Sequence, residues 1–436
     1  MTDSATSGTV HIVGAGLAGL SCAVALARAD VQVELHEAAR QAGGRCRSYF
    51  EPALDCEIDN GNHLVLSGNR ALLDYVTTIG ASAKLSGPAQ AGYDFADLKS
   101  GERWALRISD GVIPWWLLSP QRRVPGTRLA DYLGSVRLLR AGIDDTVVAR
   151  LGDGPLYDRL WRPVLLAALN TDPQEASARL AAAVVRETLA RGGAACRPLL
   201  ASEGLAAAFI DPALAWLRQK GTGVRFDSRL RELVLGRERV ERLAFADGRT
   251  ITLARQDQVV LAVPAPVAQA LVPRLSAPDQ FRAIVNGHFR IDPPAGFPRI
   301  LGVVNGLTEW LFAFEHRLAV TISGADRLLD MPREEIARTL WGEVAALTGL
   351  PSQLPPWQII KERRATFAAL PSQEAKRPGA RTAWRNLLLA GDWTATGLPA
   401  TIEGAVRSGN RAASLARAAA HGLDAQSHDR STRHAA

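Results

Sequence analysis

The sequence is poor in the residues that hold metals or form disulfides, and no stretch of it is apolar enough to cross a membrane. Its four cysteines, Cys22, Cys46, Cys56 and Cys196, have neither CxxC spacing nor histidines at metal-ligand intervals. We therefore predict no metal site and a reducing compartment. No run of 18 apolar residues occurs, and the first nine residues carry no lysine or arginine. These absences predict a cytoplasmic protein without a transmembrane helix or a signal peptide.

Charge is not concentrated in any one stretch of the chain either. The net charge of +7 arises from 51 lysine and arginine residues against 44 acidic ones, and the two kinds are interspersed. A nucleic-acid-binding protein usually gathers its basic residues in one patch or adds aromatic stacking motifs, so we predict no nucleic-acid partner. Two interpretations of the basic excess stay open: general solubility, and weak peripheral attraction to an anionic membrane surface.

The length of 436 residues exceeds one ordinary hydrophobic core and predicts two closely associated domains. The predicted dinucleotide-binding domain is discontinuous and comprises residues 1–69, 196–264 and 381–420. Two intervening segments are richer in Trp, Leu and Pro and show helical periodicity more often than alternation. We predict that these segments, 70–195 and 265–380, form a substrate-binding domain. The polar tail, 421–436, is predicted to be disordered.

Residues 9–36 have the pattern of a βαβ unit around a glycine turn. An apolar strand precedes Gly14-Ala15-Gly16-Leu17-Ala18-Gly19, an alanine-rich helix follows, and 31–36 alternates as a second strand. The first two glycines permit a tight turn and a close approach to a pyrophosphate, and the third permits tight helix–strand packing. The start of the helix, with Leu17 and Ala18, supplies N–H donors to the phosphates.

An acidic residue follows the second predicted strand at the spacing of a ribose ligand. Glu37 lies 23 residues after Gly14, so its carboxylate is placed to accept the hydroxyls of an adenosine ribose. A carboxylate there disfavours a 2′-phosphate and argues against NADP. A second glycine motif, Gly43-Gly44-Arg45, comes soon after it, and Asp59-Asn60-Gly61 follows.

The C-terminal part of the sequence carries a third motif. A predicted buried strand over 387–390 ends at Gly391-Asp392, which places a carboxylate where the ribityl hydroxyls of a flavin would lie. A helix predicted over 402–420 then begins after Thr401, with Ile402 and Glu403 in its first turn. Its positive N-terminal end would stabilise negative charge on a reduced flavin ring.

Together with the run VVLAVP over 259–264, these motifs resemble the flavin amine oxidase and phytoene desaturase superfamily, in motif order along the whole chain. The resemblance implies an α/β fold in which a Rossmann-type FAD-binding domain carries an inserted α+β substrate domain. It also implies that Arg45 approaches the pyrophosphate and that the backbone of Leu230 contacts the adenine. Gly61, Asn62 and Val263 are the further cofactor contacts that we expect.

Differences between this sequence and the amine oxidases narrow the predicted function within the superfamily. Those enzymes carry a tyrosine where this chain has Thr401, and no cysteine lies near Gly391 for a covalent link, so we expect non-covalent FAD. The runs Asp59-Asn60-Gly61-Asn62-His63-Leu64 and Leu160-Trp161-Arg162-Pro163-Val164 and the C-terminal block resemble instead the hydroxysqualene dehydroxylases of bacterial hopanoid biosynthesis. That resemblance implies a long-chain isoprenoid substrate, with reduced FAD removing the hydroxyl of hydroxysqualene to give squalene.

Such a reaction requires an acid for the leaving hydroxide and a long apolar tunnel. His63, in a loop expected near the flavin, is the candidate acid, with a purely structural histidine as the alternative. Asn62 and Asn170 are candidates for orienting the hydroxyl. The segment 112–118 is interpreted as tunnel lining, as core, or as an exposed patch that dips into the bilayer. The aromatic residues that line the tunnel or pack in the core are Trp104, Trp115, Trp116, Trp161, Trp310, Phe312 and Phe314.

The sequence contains one dinucleotide fingerprint, so we predict no built-in NAD(P)H domain and an external electron donor. Three other functions stay open at this level. They are an oxidative polyene desaturase of the phytoene type, a flavin amine oxidase, and an FAD-bound lipid carrier without turnover. The sequence leaves the oligomeric state open.

Overall fold

A computed structural model describes residues 8–420 of the chain, so the predicted disordered tail, 421–436, lies outside the described residues. The α-helices of the described part, in chain order, are α1 Leu17–Ala27, α2 Arg70–Thr78, α3 Gly134–Leu139, α4 Val147–Leu151, α5 Arg162–Leu169, α6 Ala178–Glu187, α7 Asp211–Gln219, α8 Ala265–Leu271, α9 Arg333–Thr348, α10 Pro371–Glu374 and α11 Ile402–Ala420.

The strands, in chain order, are β1 Val10–Val13, β2 Val33–His36, β3 Ser48–Glu51, β4 Cys56–Asp59, β5 Val65–Leu66, β6 Leu85–Ser86, β7 Gly92–Asp97, β8 Arg103–Arg107, β9 Pro198–Ala201, β10 Val224–Arg225, β11 Leu230–Leu235, β12 Val240–Phe245, β13 Thr250–Thr252, β14 Gln258–Leu261, β15 Phe281–Arg290, β16 Ile300–Val304, β17 Trp310–Phe314, β18 Arg317–Ile322, β19 Trp357–Phe367 and β20 Leu387–Leu389.

Five strands form a parallel sheet in the order β10-β2-β1-β14-β20. Its central strands are buried on both faces because α1 packs on one face and the three-stranded sheet β11-β12-β13 packs on the other. The helices α1 and α11 pack closely at Gly409, where a Cβ would lie 2.1 Å from the Ser21 hydroxyl. Since parallel strands all end at one edge, the loops that carry the predicted glycine motifs meet there.

A seven-stranded mixed sheet, β19-β15-β18-β17-β16-β7-β8, forms the other large layer. The helical periodicity expected for 265–380 is therefore wrong for most of that segment, which supplies five of these strands. The reason is that both faces of the sheet are buried, one against α9 and the other against the helices of 134–187. The sequences of strands such as β16 and β17 are therefore continuous apolar runs, without the period-two alternation of a half-exposed strand.

The parallel sheet draws all of its strands from the three segments predicted to bind a dinucleotide. The α/β fold class with a Rossmann-like sheet is confirmed, while the domain boundaries stay a prediction. A hairpin around Asp247-Gly248 joins β12 to β13 in the three-stranded antiparallel sheet β11-β12-β13. Among residues 8–420, no helix combines the length and apolar character needed to span a bilayer.

Candidate active site

The glycine loop between β1 and α1 lies at the carboxyl edge of the parallel sheet. Gly14 has a φ of +108°, and a Cβ there would lie 2.4 Å from the Ala262 carbonyl oxygen. A Cβ on Gly19 would lie 1.9 Å from the carbonyl oxygen of Gly14, so packing requires glycine at both positions. A Cβ on Gly16, in contrast, would have no atom within 4 Å. Packing therefore does not explain the glycine at position 16, whereas close approach of a ligand does.

The second glycine motif packs against the first. Gly43 has a φ of +107° and donates its N–H to the Ala15 carbonyl oxygen at 2.8 Å. A Cβ on Gly44 would lie 3.6 Å from the Cα of Gly16. Next to these loops, α1 begins at Leu17-Ala18, and no side chain caps its N-terminus. Its first-turn N–H groups and the open glycine surface form a donor set that fits a pyrophosphate.

Glu37 lies at the neighbouring strand end, as its spacing predicts. Its carboxylate accepts hydrogen bonds from the N–H groups of Ala15 at 2.7 Å and Ala39 at 2.9 Å. Its carbonyl oxygen accepts from the N–H of Ser228 at 2.8 Å, which brings the chain leading to Leu230 alongside it. The half-buried carboxylate keeps lone pairs for a ribose, so these residues together fit the adenosine end of a dinucleotide.

Arg45 and Asp392 join the glycine motifs to the C-terminal motif. The Arg45 guanidinium donates to the Asp392 carboxylate at 2.7 Å and to the Ala365 carbonyl oxygen at 2.6 Å. The adjacent buried carboxylate raises the pKa of Arg45. Asp392 follows β20, and Trp393 beside it donates its indole N–H to the Val263 carbonyl oxygen at 2.9 Å. The strand ends after β14 and β20 are thereby held together at the cofactor edge.

The N-terminus of α11 is only partly as predicted. The Thr401 hydroxyl accepts from the N–H of Gly404 at 3.0 Å and so caps this helix, which begins at Ile402. The Glu403 carboxylate is buried and accepts from the N–H of Leu72 at 2.9 Å. It also accepts from the guanidinium of Arg407 at 2.7 Å. The side chain of Glu403 therefore caps the N-terminus of α2, so a cofactor would contact the main chain of Glu403 and not its carboxylate.

The loop after β4 meets the seven-stranded sheet. Asp59 is buried and accepts from Ser48 at 2.6 Å and from the N–H of Leu205 at 2.8 Å, which fixes the start of the loop. Gly61 follows, and a Cβ on it would lie 3.3 Å from the amide nitrogen of Asn286. The closely packed loop leaves no room for a larger residue at this point.

A small polar cluster lies where this loop meets β15 and β18. The Asn62 amide donates to the Thr321 hydroxyl at 3.1 Å, and that hydroxyl donates to the amide oxygen of Asn286 at 2.8 Å. The amide oxygen of Asn62 and the amide nitrogen of Asn286 are buried without a hydrogen-bond partner. Unpaired buried polar atoms cost about 1–3 kcal/mol each, so an acceptor and a donor here suit a polar ligand group.

His63 is half-buried beside this cluster. Burial, followed by the nearby charge of Arg45, lowers the pKa of His63 to about 4. Its imidazole is therefore neutral at pH 7 and forms hydrogen bonds without carrying an extra proton. Asn170, the other predicted orienting residue, lies in a separate contact, where its amide donates to Thr366 at 2.9 Å and accepts from the N–H of Gly324 at 2.7 Å.

The predicted tunnel aromatics divide into two groups. One extended hydrophobic cluster contains the buried side chains of Trp104, Trp116, Trp161, Trp310 and Phe312, with Phe314 packed against it. Trp115 is 61% exposed, so it does not belong to the core or to an enclosed tunnel. The sequence therefore predicted the cluster of buried aromatic residues correctly. It left open whether segment 112–118 is buried or exposed, and the structure shows that Trp115 of this segment is exposed.

Sequence reasoning missed two contributors to the site, Asn286 and Thr321. Both lie in strands that face the loop carrying Asn62, and both are more than 220 residues away from it in sequence. One available signal was the pair Asn286 and His288, two polar residues at alternate positions in the buried centre of strand β15. Polar residues on a buried strand face usually have a partner or a ligand.

Comparison with known proteins agrees with this geometry. Residues 17–416 match the family model described as flavin-containing amine oxidoreductase. The chain is 55% identical to the hydroxysqualene dehydroxylase of Rhodopseudomonas palustris, over 95% of this chain and 99% of that protein. It is 54% identical to the hydroxysqualene dehydroxylase of Sinorhizobium fredii, over 93% and 98% of the two chains.

A solved structure shares the fold at low sequence identity. Cyclohexylamine oxidase from Brevibacterium oxydans superimposes with a TM-score of 0.67 at 18% identity, over 96% of this chain and all of that one. The shared architecture and the family match identify this protein as a flavin-dependent oxidoreductase. The chain belongs to the flavin-containing amine oxidoreductase family and, within it, to the hydroxysqualene dehydroxylases.

Proposed function

We propose that this protein removes the hydroxyl group of hydroxysqualene to give squalene in hopanoid biosynthesis, using FAD. The observation that carries this proposal is the 55% identity, over 95% of the chain, to a protein named hydroxysqualene dehydroxylase. Relatives at 24% identity are named desaturases, which makes oxidative desaturation the function to test against.

We propose FAD as the flavin because different residues along one edge of the parallel sheet suit the two ends of a dinucleotide. The open glycine surface at Gly16 suits the pyrophosphate, Glu37 suits the adenosine ribose, and Asp392 suits the ribityl chain. Non-covalent binding is supported by the state of Cys46, the cysteine next to Arg45. Burial raises the pKa of its thiol to about 12, so the thiol is protonated and a weak nucleophile.

The reaction breaks one carbon–oxygen bond and forms one carbon–hydrogen bond, and the hydroxyl leaves as water after taking up a proton. Reduced FAD supplies the hydride, and an external reductant restores it. The unpaired amide atoms of Asn62 and Asn286 are proposed to hold the hydroxyl oxygen. His63 is proposed to hydrogen-bond the same oxygen. Burial lowers the pKa of His63 to about 4, so its imidazole is neutral at pH 7 and carries no extra proton for the leaving hydroxide.

The hydrocarbon part of the substrate is proposed to pass along the aromatic cluster of Trp104, Trp161 and Trp310, which excludes water from the reacting carbon. Substrate entry from a membrane surface is supported by an exposed apolar segment, residues 112–143. Its large exposed apolar side chains are Val112, Ile113, Trp115, Leu118, Leu129, Leu133, Val136 and Ile143. We therefore propose peripheral contact with the cytoplasmic face of the inner membrane.

Anaerobic single turnover tests the proposed function. The purified holoenzyme is photoreduced and mixed with hydroxysqualene, the flavin spectrum is followed, and the lipid is extracted. Reoxidation of the flavin with one squalene per flavin is the expected result. A flavin that stays reduced while the lipid returns unchanged would overturn the proposal, and formation of new double bonds by the oxidised enzyme would assign it to desaturation.

A further inference from the structure

We propose that His11, Glu34 and His36 form a binding site for a divalent transition-metal cation of the zinc class. The three residues lie on one face of the parallel sheet, the face covered by β11-β12-β13 and opposite to α1. The sequence-based expectation of no metal site rested on cysteine spacing, and these residues become neighbours only when β1 pairs with β2.

Strand register brings the three side chains together. His11 of β1 lies directly opposite Glu34 of β2, and His36 lies two residues further along β2, so all three point to the same face. Nδ1 of His11 is 3.4 Å from Oε2 of Glu34, and Nε2 of His36 is 3.8 Å from the same oxygen. The three ligand atoms lie within 4.8 Å of one another, a spacing that one cation can bridge with small side-chain movements.

The two ring nitrogens that face Glu34 have no hydrogen-bond partner. His11 is 3% exposed and His36 is 1% exposed, and Nδ1 of the first and Nε2 of the second are both buried and unpaired. An unpaired buried polar atom is destabilising, and two of them aimed at one carboxylate are unusual in a folded protein. A cation between the three side chains would satisfy both nitrogens.

The opposite nitrogen of each ring faces a polar group, as in many metal sites. Nε2 of His11 is 3.9 Å from the carboxylate of Asp257, and Nδ1 of His36 is 3.4 Å from the hydroxyl of Ser228. Such outer contacts orient the ring and direct its lone pair to the metal. Arg249, which donates to Ser228 at 2.7 Å, is also bonded to Asp247 at 2.7 Å, so a carboxylate offsets part of its charge near His36.

The ligand set and the access route define the class of cation. Two imidazole nitrogens and one carboxylate oxygen suit zinc and its first-row neighbours, while calcium and magnesium prefer oxygen ligands only. Glu34 is 46% exposed on its side chain and lines a surface cavity of about 770 Å³ together with His36, Lys220 and Thr222. A cation and a fourth ligand from water can therefore enter from solvent.

The proposed metal site is separate from the cofactor edge but next to it. His36 is followed by Glu37, and the carbonyl oxygen of His36 accepts the N–H of Gly14 at 2.7 Å. A cation bound there would fix the end of β2, and with it the carboxylate placed for the ribose. The inference does not rest on the proposed reaction, because its ligands lie on the face of the sheet beneath the β11-β12-β13 layer.

Zinc binding by the holoenzyme tests the proposal. The protein is stripped with a chelator and dialysed against buffered Zn²⁺, and the metal retained per chain is measured together with the thermal unfolding temperature. We expect one Zn²⁺ per chain and a rise in unfolding temperature with added zinc. Glu34→Gln, a partly exposed position, should weaken binding at least about tenfold. Glu232→Gln, on the exposed side of the neighbouring sheet, is the matched control and should bind like the wild type.

A second variant distinguishes this site from surface histidines. His316→Gln removes the exposed imidazole that lies 2.6 Å from Asp292 and should leave zinc retention unchanged. Equal zinc retention by the wild type and Glu34→Gln would overturn the proposal, as would retention that disappears in His316→Gln. Failure of hydroxysqualene turnover would leave the zinc result standing, since the readout is bound metal.

Discussion

At the residue scale, His63 shows how burial controls the protonation of a candidate catalytic group. Its pKa in the folded protein is about 4, against about 6.5 for an unperturbed histidine. Between these values the unfolded chain binds more protons than the folded one, so this residue lowers stability as the pH falls. We therefore predict that His63→Gln loses less thermal stability than the wild type between about pH 7 and pH 4.5.

Thermal unfolding of both proteins across that pH range checks this prediction. His316→Gln is the control, because it removes an exposed imidazole in place of the half-buried His63 ring, and it should follow the wild type. Parallel losses in the wild type and in His63→Gln would show that burial does not keep the His63 imidazole neutral.

Substitutions at the glycines of the first loop distinguish an effect on folding from an effect on cofactor binding. Gly16→Ala adds a Cβ that meets no protein atom within 4 Å, so we expect a folded protein with an unchanged unfolding temperature in the cofactor-free state. Its flavin affinity should fall at least about tenfold, because the added methyl enters the space proposed for the pyrophosphate. Gly19→Ala places a Cβ 1.9 Å from a carbonyl oxygen and should lose folded yield.

Flavin content after gel filtration, together with unfolding of the flavin-free proteins, measures both effects. Full flavin retention in Gly16→Ala would argue against a phosphate at this loop.

The sequence predicted the positions of these glycines well, because each glycine meets a local requirement of the backbone. It missed Asn286 and Thr321 because their contacts with Asn62 depend on packing between distant strands, and a polar residue in a buried strand does not identify the residue that it meets.

At the scale of elements, Glu403 ties two helices together. Its carboxylate accepts from the first-turn N–H groups of α2 and from Arg407 of α11. Replacing Glu403 with alanine leaves the N–H of the buried Leu72 without its acceptor, while Arg407 keeps Glu187 as a partner, so we predict a loss of about 1–3 kcal/mol in the free energy of unfolding. Urea unfolding measures this loss. Glu335→Ala, in the exposed first turn of α9, is the control and should change stability by less than about 0.5 kcal/mol.

Elements buried on one face were predicted better than elements buried on both. α11 begins at the predicted residue, because its amphipathic pattern and capping threonine are local signals. The strands of the seven-stranded sheet were not foreseen, because apolar side chains on both faces remove the alternation that identifies a strand. The position of Glu403 in a motif does not reveal which way its side chain turns, so its contact with α2 was not foreseen, while its main-chain contact with a cofactor stays a prediction.

At the scale of the whole molecule, the exposed apolar segment 112–143 predicts membrane contact. Between residues 112 and 140 the chain has five arginines and one acidic residue, so an anionic surface would attract it. We predict that the double variant Trp115→Ser and Leu118→Ser binds anionic phospholipid vesicles at least about tenfold more weakly, because each side chain contributes about 1.5–3 kcal/mol when buried.

Vesicle sedimentation measures this binding. The control carries serine at Phe50 and Val267, two exposed apolar residues outside the segment, and should sediment like the wild type. Equal sedimentation of all three proteins would contradict the prediction that this segment contacts a membrane. It would not affect the assignment of the protein as an enzyme.

The order of strands in the parallel sheet has a consequence for biosynthesis. The edge that carries Gly14 is completed by Gly391, which is translated 377 residues later. At about 5–20 residues per second, this interval is roughly 20–75 s. Within that interval, from the synthesis of Leu261 to that of Leu387, β14 has no partner on its outer edge because β20 is not yet made. A nascent chain stalled before β20 would present an unpaired strand edge to the folding machinery, and the sheet edge that carries Gly14 would still lack Asp392.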